Sequence, residues 1–470
     1  MSVYNEGLSL PTKQSEEFRP STRRPGGRAE LRPCLNSNSG PFNCETFTAT
    51  ASVTDFQLEG DYLIGGLFDI HHVSAPVYHD RPAAINCTSQ LFSLSNYRRF
   101  QLMRFSIEEI NNSTSLLPNV SLGYEIFDHC SDTQNFPGIL NLISVNGLIQ
   151  PWDKPHKKQG HKPNVSKVIA VVGPFSSTQA LTVAPLFMVD LIPMVSFFFQ
   201  YSICTVQYYC HVLFYLFILF QQVNYGSSSS IFSKSLKFPS FLRTVRPNRD
   251  IIEVIINILQ HFRWHWVAFL NSHNNYGNDG LALFMKRIKD TEICLAYTKR
   301  LNEDTHYSQM FKQIEAQRIF VIIVFAPKMT AEALIESAVQ LNITNKVWIA
   351  GDSWSLNKRL SKKKGVKNIG TILGVSQSVV MIPGFSDFIY SYKSQTQCEN
   401  PGQEFCNQVC NSSSLSPEDI LAADPSFSFP VYSAVYAIAH ALHSALRCGA
   451  GTCNDDITVY PHMVSVHICI

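Results

Sequence analysis

The chain has 470 residues, 45% of them hydrophobic, with 38 basic against 36 acidic side chains. A chain this apolar is not disordered as a whole, and its near-neutrality excludes a nucleic-acid partner held mainly by phosphate neutralisation. Its length predicts two or three domains of roughly 100–200 residues each.

Residues 1–54 read as a disordered arm. They are rich in Pro and Ser and locally basic at Lys13, Arg19, Arg23, Arg24, Arg28 and Arg32. Met1 to Phe18 has no apolar core of the kind a signal peptide needs. A strand is expected over Asp61–Phe68. A helix follows over Arg98–Ile110, with Phe100, Met103, Ile107 and Ile110 on one face, and a second strand at Leu122–Asp128. The polar stretch Trp152–Lys167 reads as a surface loop.

From Lys167 onward strands and helices alternate. A strand ends at Val172 and a helix runs through Leu186. Helix Asp250–Phe262, strand Trp266–Leu270 and helix Gly280–Lys289 follow. Strand Phe320–Phe325, helix Thr330–Leu341 and strand Lys346–Ala350 come next, and helix Tyr432–Leu446 closes the series. Such alternation predicts an α/β fold with parallel strands joined by right-handed crossovers.

One segment breaks the pattern. Leu191 to Ser233 holds no charged residue, and Val212–Phe220 is continuously apolar. Gln200, Gln207 and His211 interrupt it, and no Lys or Arg flanks it closely, which argues against a membrane span of about 20 apolar residues. Removing 197–224 joins Pro193-Met194-Val195-Ser196 to Tyr225-Gly226-Ser227-Ser228-Ser229 and restores a strand ending in a serine-rich turn. The expectation is that 197–224 is translated intron, a matter that sequencing the transcript decides.

Three aliphatic runs end in turns that carry groups suited to a free amino acid. They lead into Gly173-Pro174-Phe175-Ser176-Ser177, into Asn275-Tyr276-Gly277 and into Gly351-Asp352. Open α/β sheets bind ligands at the carboxyl ends of their strands. Hydroxyls, a phenol ring and one carboxylate in such positions point to recognition of a zwitterion rather than to catalysis. No H-E-x-x-H, G-x-S-x-G, Walker or G-x-G-x-x-G pattern occurs, so no catalytic residue and no cofactor is expected. His71, His72 and His79 read as solvated loop residues. The thirteen cysteines read as disulfide formers rather than zinc ligands, so no metal is expected either. Together with Asn-x-Ser/Thr sequons at Asn86, Asn111, Asn112, Asn119, Asn164, Asn342 and Asn411, they favour an oxidising, extracellular setting.

Several phrases then resemble one family. They are Asp55-Phe56-Gln57-Leu58-Glu59-Gly60-Asp61-Tyr62, Glu108-Glu109-Ile110-Asn111-Asn112-Ser113-Thr114, Leu116-Leu117-Pro118-Asn119, Ser240-Phe241-Leu242-Arg243-Thr244 and Ala434-Val435-Tyr436-Ala437-Ile438-Ala439-His440. In this order, across Asp55–Pro461, they resemble the extracellular ligand-binding domain of class C G-protein-coupled receptors. The type 1 taste receptors of fish type, member 1 or member 2, are the nearest match. Calcium-sensing and metabotropic glutamate receptors are more distant.

The resemblance implies a bilobed, periplasmic-binding-protein-like Venus flytrap. Lobe 1 would comprise 55–246 plus 373–470, and an incomplete lobe 2 would comprise 247–372, with the chain stopping before the cysteine-rich linker and seven-helix domain. It implies that Ser177 and Ser228 bind a ligand α-carboxylate, and that Tyr276 covers and Asp352 pairs with the ammonium. It further implies that Phe427 replaces a lysine used for distal carboxylates, which favours neutral or apolar ligand side chains. Cys87 with Cys130 and Cys448 with Cys453 match family disulfides, one further bond lies among Cys398, Cys406 and Cys410, and Cys294 is left free. Glycosylation is expected at Asn86, Asn112, Asn119, Asn164, Asn342 and Asn411. The implied partners are a free amino acid, a member 3 subunit in a heterodimer, and a G protein reached through the transmembrane domain at the plasma membrane. The competing readings are a class C olfactory or calcium-sensing-like ectodomain, a soluble amino-acid-binding protein, an enzyme, and a non-functional receptor fragment. For each site residue the plain alternative is structural: Ser177 and Asp352 as caps, Tyr276 as a packed turn residue.

Overall fold

The computed structural model describes residues 56–72, 91–130, 168–188, 221–391 and 415–464, apart from positions 235, 236, 239, 450, 455, 458 and 460–462, together with 139 and 142. The expected arm 1–54, His79, and the cysteines 398, 406 and 410 lie outside these residues.

The aliphatic runs become two sheets. In the first, β1 (Gln57–Leu58), β2 (Tyr62–Phe68), β5 (Leu122–Asp128), β6 (Ala170–Val172), β7 (Gln221–Asn224) and β8 (Phe241–Arg243) lie in the order β1-β5-β2-β6-β7-β8. All neighbours are parallel except β1 with β5. A short antiparallel pair, β3 (His71–His72) with β4 (Leu91–Phe92), stands apart. In the second sheet, β9 (Trp266–Ser272), β10 (Cys294–Leu301), β11 (Val321–Phe325), β12 (Lys346–Ala350) and β13 (Gly370–Gly374) are all parallel, in the order β10-β9-β11-β12-β13. Parallel strands need covered faces, and each sheet is flanked by helices.

On the first sheet lie α1 (Leu94–Asn111), α2 (Ser177–Met188) and, from the end of the chain, α8 (Phe385–Ser391), α9 (Pro417–Ala422) and α10 (Ser428–Ala445). The expected face of α1 is buried: Phe100, Met103 and Ile107 pack with Ile438 and Leu442 of α10 in one core. Each such side chain contributes about 1.5–3 kcal/mol. Gly66 makes this packing possible, since a Cβ there would stand 2.9 Å from Met103 and from Ile126.

On the second sheet, α3 (Asn248–His261) and α4 (Asn275–Arg287) bury Ile251, Ile255, Leu259 and Phe284 against one face. The opposite face takes Met310, Phe311 and Leu334 from α5 (Tyr307–Ala316) and α6 (Lys328–Gln340), with short α7 (Lys358–Ser361) beyond. This is the bilobed α/β architecture expected. Among the described residues no helix is long and apolar enough to cross a membrane.

His71 is not the solvated loop residue expected but a 7%-exposed residue of β3 with Nδ1 2.6 Å from Asp128 Oδ2, and three further expectations change in detail. Helix α4 begins at Asn275 rather than Gly280, because the Asn274 side chain caps it by accepting from the Gly277 N–H at 3.0 Å. Tyr276 therefore sits in the first helical turn. The suspected insertion 197–224 overlaps the sheet: its last four residues, Gln221–Asn224, are strand β7, between β6 and β8. The cause is polar. Gln222 Nε2 donates to the Gly173 carbonyl at 2.9 Å, Asn224 Nδ2 donates to the Pro174 carbonyl, and Asn224 Oδ1 accepts from the Gly226 N–H at 2.9 Å and from the Ser227 N–H. Residues 197–220 lie outside the described residues. Third, the Asn111 sequon is occupied otherwise, since its amide both donates to and accepts from the Leu122 backbone.

Candidate ligand-binding site

The first turn follows β6. Gly173 holds φ +105° with its α-carbon against the Leu67 carbonyl, where a Cβ would lie 2.3 Å from that oxygen. Capping of α2 falls to Ser176, not Ser177. The Thr178 N–H donates to Ser176 Oγ at 3.3 Å, while Gln179 Oε1 accepts from the Ser176 N–H at 3.3 Å, a reciprocal box. Ser177, 3% exposed, accepts instead from the Ser229 N–H at 3.3 Å. Its hydroxyl thereby touches the serine-rich turn 52 residues away, where Ser228 is 1% exposed. Two serine turns converge at one helix start, and helix starts favour anions through their free N–H groups.

A helix of the second sheet, α4, meets this corner. The Asn275 N–H donates to Thr178 Oγ1 at 3.4 Å. Asp279 of α4 accepts from the Ser230 hydroxyl, from the Ser230 N–H at 2.8 Å and from Asn248 Nδ2 at 2.8 Å. These bonds seat the first turn of α4, with Tyr276 on it, beside the serine turns.

Tyr276 and Asp352 form a buried pair. The phenol donates to Asp352 Oδ1 at 2.7 Å, and the Tyr276 ring stacks on Phe325 at 4.4 Å. Burial and the neighbouring carboxylate push the Tyr276 hydroxyl well above its ordinary range. Burial raises the Asp352 carboxyl, with Tyr276, Gln377 and the Ser353 N–H pulling the other way. Asp352 is 3% exposed, yet its second oxygen, Oδ2, has no hydrogen-bond partner. The Gln377 amide, whose Nε2 is buried, lies close enough to Asp352 to help hold the carboxyl down against the effect of burial.

Asp352 and Phe427 line one small pocket that opens to solvent. Its walls come from the end of β12 at Asp352, from the segment after β13 at Gln377 and Val379, and from the start of α10 at Phe427, Phe429 and Pro430. Tyr276, Ser177 and Ser228 stand outside this wall, with Tyr276 touching it through Asp352. Phe427 has a left-handed backbone, φ 64°, which is rare for a bulky residue. Its ring meets Phe175 edge-on at 5.0 Å, and the buried Arg99 guanidinium lies 4.4 Å from the Phe175 ring and 5.3 Å from that of Phe427. Arg99 also donates to the Ser426 carbonyl and to Asn96 Oδ1, so its charge is engaged behind the pocket. Sequence reading singled out neither Arg99 nor Gln377: one is a helical residue on a buried face, the other a lone amide in a loop.

Cys448 and Cys453 form a disulfide, and Cys130 is disulfide-bonded, while Cys87 lies outside the described residues. Cys294 is a free, exposed thiol. Asn112, Asn119 and Asn342 are exposed; Asn86, Asn164 and Asn411 lie outside the described residues.

Residues 99–465 match the family described as the receptor family ligand binding region. The chain is 33% identical over 429 residues to taste receptor type 1 member 1 of Mus musculus, covering 88% of this chain and 46% of that protein. It is 32% identical over 431 residues to taste receptor type 1 member 2 of Homo sapiens, covering 87% and 47%. Member 2 of Saimiri sciureus is 31% identical over 427 residues, with the same coverage. The chain thus spans about half the length of the curated relatives it matches, and those relatives are receptors rather than enzymes. By fold and by sequence, the chain belongs to the receptor family of ligand-binding regions, as a class C G-protein-coupled receptor ligand-binding domain related to type 1 taste receptors.

Proposed function

We propose that the chain is an extracellular, non-enzymatic sensor of free L-amino acids, in which the two lobes close on the zwitterion. Ser177 and Ser228, at the start of α2 and in the facing turn, take the α-carboxylate. Tyr276 and Asp352 take the ammonium. The observation that carries this reading is Asp352: one oxygen is fixed by the Tyr276 hydroxyl at 2.7 Å, and the other is buried and unbonded. A buried carboxylate oxygen left unsatisfied costs on the order of 1–3 kcal/mol or more, and an ammonium would recover that cost. Closure signals through the difference in affinity between open and closed states. The sensor works in a heterodimer with a member 3 subunit, glycosylated at the surface, and reaches a G protein through a transmembrane domain at the plasma membrane.

The test is calorimetric titration of the purified chain with the common L-amino acids, alongside their N-acetyl and α-amide forms. Binding of the free forms, lost when either charged end is blocked, is the expected result. Equal binding of the N-acetyl form would remove Asp352 from the ligand site.

A further inference from the structure

Lys358, Arg359, Lys362, Lys363, Lys364 and Lys367 fall within one short stretch, and no acidic residue stands between Asp352 and Asp387. The chain as a whole is near neutral, so this charge is local. The fold turns it outward. Leu360, Val366 and Ile369 are buried with Met310, Phe311 and Leu334 in the core of the second sheet. Lys358, Arg359, Lys362, Lys364 and Lys367 are exposed. The backbone between them is fixed: the Lys363 N–H donates to the Leu360 carbonyl at 3.0 Å, the Val366 N–H to the Lys363 carbonyl at 3.2 Å and the Asn368 N–H to the Gly365 carbonyl at 3.0 Å. Gly365, at φ 87°, makes the turn.

The protein compensates this charge only in part. Lys363 meets Glu336 at 2.5 Å, and Arg359 stands 3.9 Å from Glu332, which also accepts from Asn357 Nδ2 at 2.7 Å. The Lys358 amine donates to the Ala422 carbonyl at 3.3 Å. Among the described residues no ion pair reaches Lys362, Lys364 or Lys367. An ordinary solvated face intersperses both signs, whereas a one-sided basic cluster on a fixed backbone suits a polyanion.

Resting only on the extracellular placement proposed above, we propose that the segment Lys358–Lys367 binds a sulfated glycosaminoglycan, with Lys362, Lys364 and Lys367 as its main sulfate contacts. Sulfate esters keep their charge at every physiological pH, and a linear chain of them can meet several lysines at once. A lipid surface fits less well. No large apolar side chain is exposed on this segment, and interfacial binding draws on buried apolar area as well as charge. The anionic surface potential of a cell membrane also belongs to its cytoplasmic leaflet. The anchoring residues share a core with α5 and α6, on the sheet face opposite the one that takes Tyr276, so polyanion binding should leave amino-acid binding unchanged.

The experiment titrates the full chain, without amino acids, against heparin over a range of salt concentrations. Desulfated heparin, polyglutamate and phosphatidylserine vesicles are run beside it. Wild type should bind heparin at about 0.15 M ionic strength and bind the other three at least about tenfold more weakly. Changing Lys362, Lys364 and Lys367 together to Gln should weaken heparin binding by about tenfold or more and flatten the slope of log Kd against log salt by roughly two to three. The same change at Lys286, Lys289 and Lys312, exposed elsewhere on this half of the chain, should alter Kd by less than about twofold. Lys364→Glu alone should also weaken heparin binding, with an unchanged melting temperature, which guards against a folding artefact. Equal loss in both triple variants, or no binding at about 0.15 M ionic strength, overturns the proposal. Equal binding of desulfated heparin removes sulfate as the recognised group, and preferred binding of polyglutamate or vesicles assigns the patch to another partner; either result also overturns it. Failure here with intact amino-acid binding sinks this inference alone, and the reverse result leaves it standing while the amino-acid reading falls.

Discussion

Replacing Asp352 with Asn separates a ligand contact from a structural one. The substitution keeps shape and still offers an oxygen to the Tyr276 hydroxyl, which now donates to Asp352 Oδ1 at 2.7 Å. It removes the negative charge that an ammonium would meet at Oδ2, where nothing in the protein bonds it. A hydrogen bond to a charged group is worth about 1.5–3 kcal/mol, so affinity for free amino acids should fall roughly 10- to 150-fold. Stability should move differently. Burial holds the Asp352 carboxyl above its unfolded value. A raised carboxyl stabilises the fold when protonated, and that contribution is lost as pH rises through the folded pKa. Wherever Asp352 is ionised it is therefore a burden on the empty protein, and above its folded pKa Asp352→Asn should melt at the same temperature or slightly higher. Ligand binding carries the opposite pH dependence, because the ammonium needs the ionised form. Wild-type affinity should weaken as pH falls through the raised Asp352 pKa, and the variant should lose that limb. Calorimetry across pH with parallel melting curves reads both. Unchanged affinity together with a lowered melting temperature would refute the reasoning and return Asp352 to a purely structural role.

Two further outcomes follow from neighbouring groups. Ser176→Ala removes the α2 cap and should cost about 1 kcal/mol of stability with little change in binding, whereas Ser177→Ala should weaken binding of free amino acids more than it lowers the melting temperature; equal effects from both would erase the distinction between cap and contact. His129 is 2% exposed with neither ring nitrogen hydrogen-bonded, and burial depresses its pKa against the pull of Asp69 and Asp128. A depressed histidine is protonated more readily in the unfolded chain, so stability should drop as pH falls below about 6.5. His129→Leu should flatten that limb, and a melting profile with an unchanged acid slope would count against it.

Much of the architecture was legible because buried parallel strands are continuously apolar. Leu122–Asp128 and Lys346–Ala350 stand where their runs predict. Strand β10 was missed for the complementary reason. It is a sheet edge and mostly exposed, so Cys294–Leu301 has neither a clean alternation nor an apolar run. Strand β13, the other edge, has the same character. The site residues could be named from their turns, but their partners could not. Tyr276 and Asp352 are 76 residues apart and meet only because β9 and β12 flank β11. The left-handed backbone of Phe427 carries no mark in sequence, since the edge-on Phe175 ring and the Arg99 guanidinium that accompany it come from elements far along the chain.

Strand β7 shows where apolar pattern misleads, and it yields the last prediction. Pro193-Met194-Val195-Ser196 reads better as a strand than Gln221-Gln222-Val223-Asn224, yet the latter pairs with both neighbours. Gln222 and Asn224 are 1% and 0% exposed, and what they bury is hydrogen bonding rather than hydrocarbon. Between them they satisfy the Gly173 and Pro174 carbonyls and the Gly226 and Ser227 N–H groups, tying the turn that bears Ser177 to the turn that bears Ser228. At about 0.5–1.5 kcal/mol net for each bond, these four contribute roughly 2–6 kcal/mol, of which a deletion variant would recover part through new pairing. Deleting 197–220 should therefore leave a protein that melts higher, and binds free amino acids better, than one lacking 197–224. If the shorter chain is as stable and binds as well, Pro193–Ser196 can replace the polar strand, and the boundary of the insertion lies where the apolar pattern first put it.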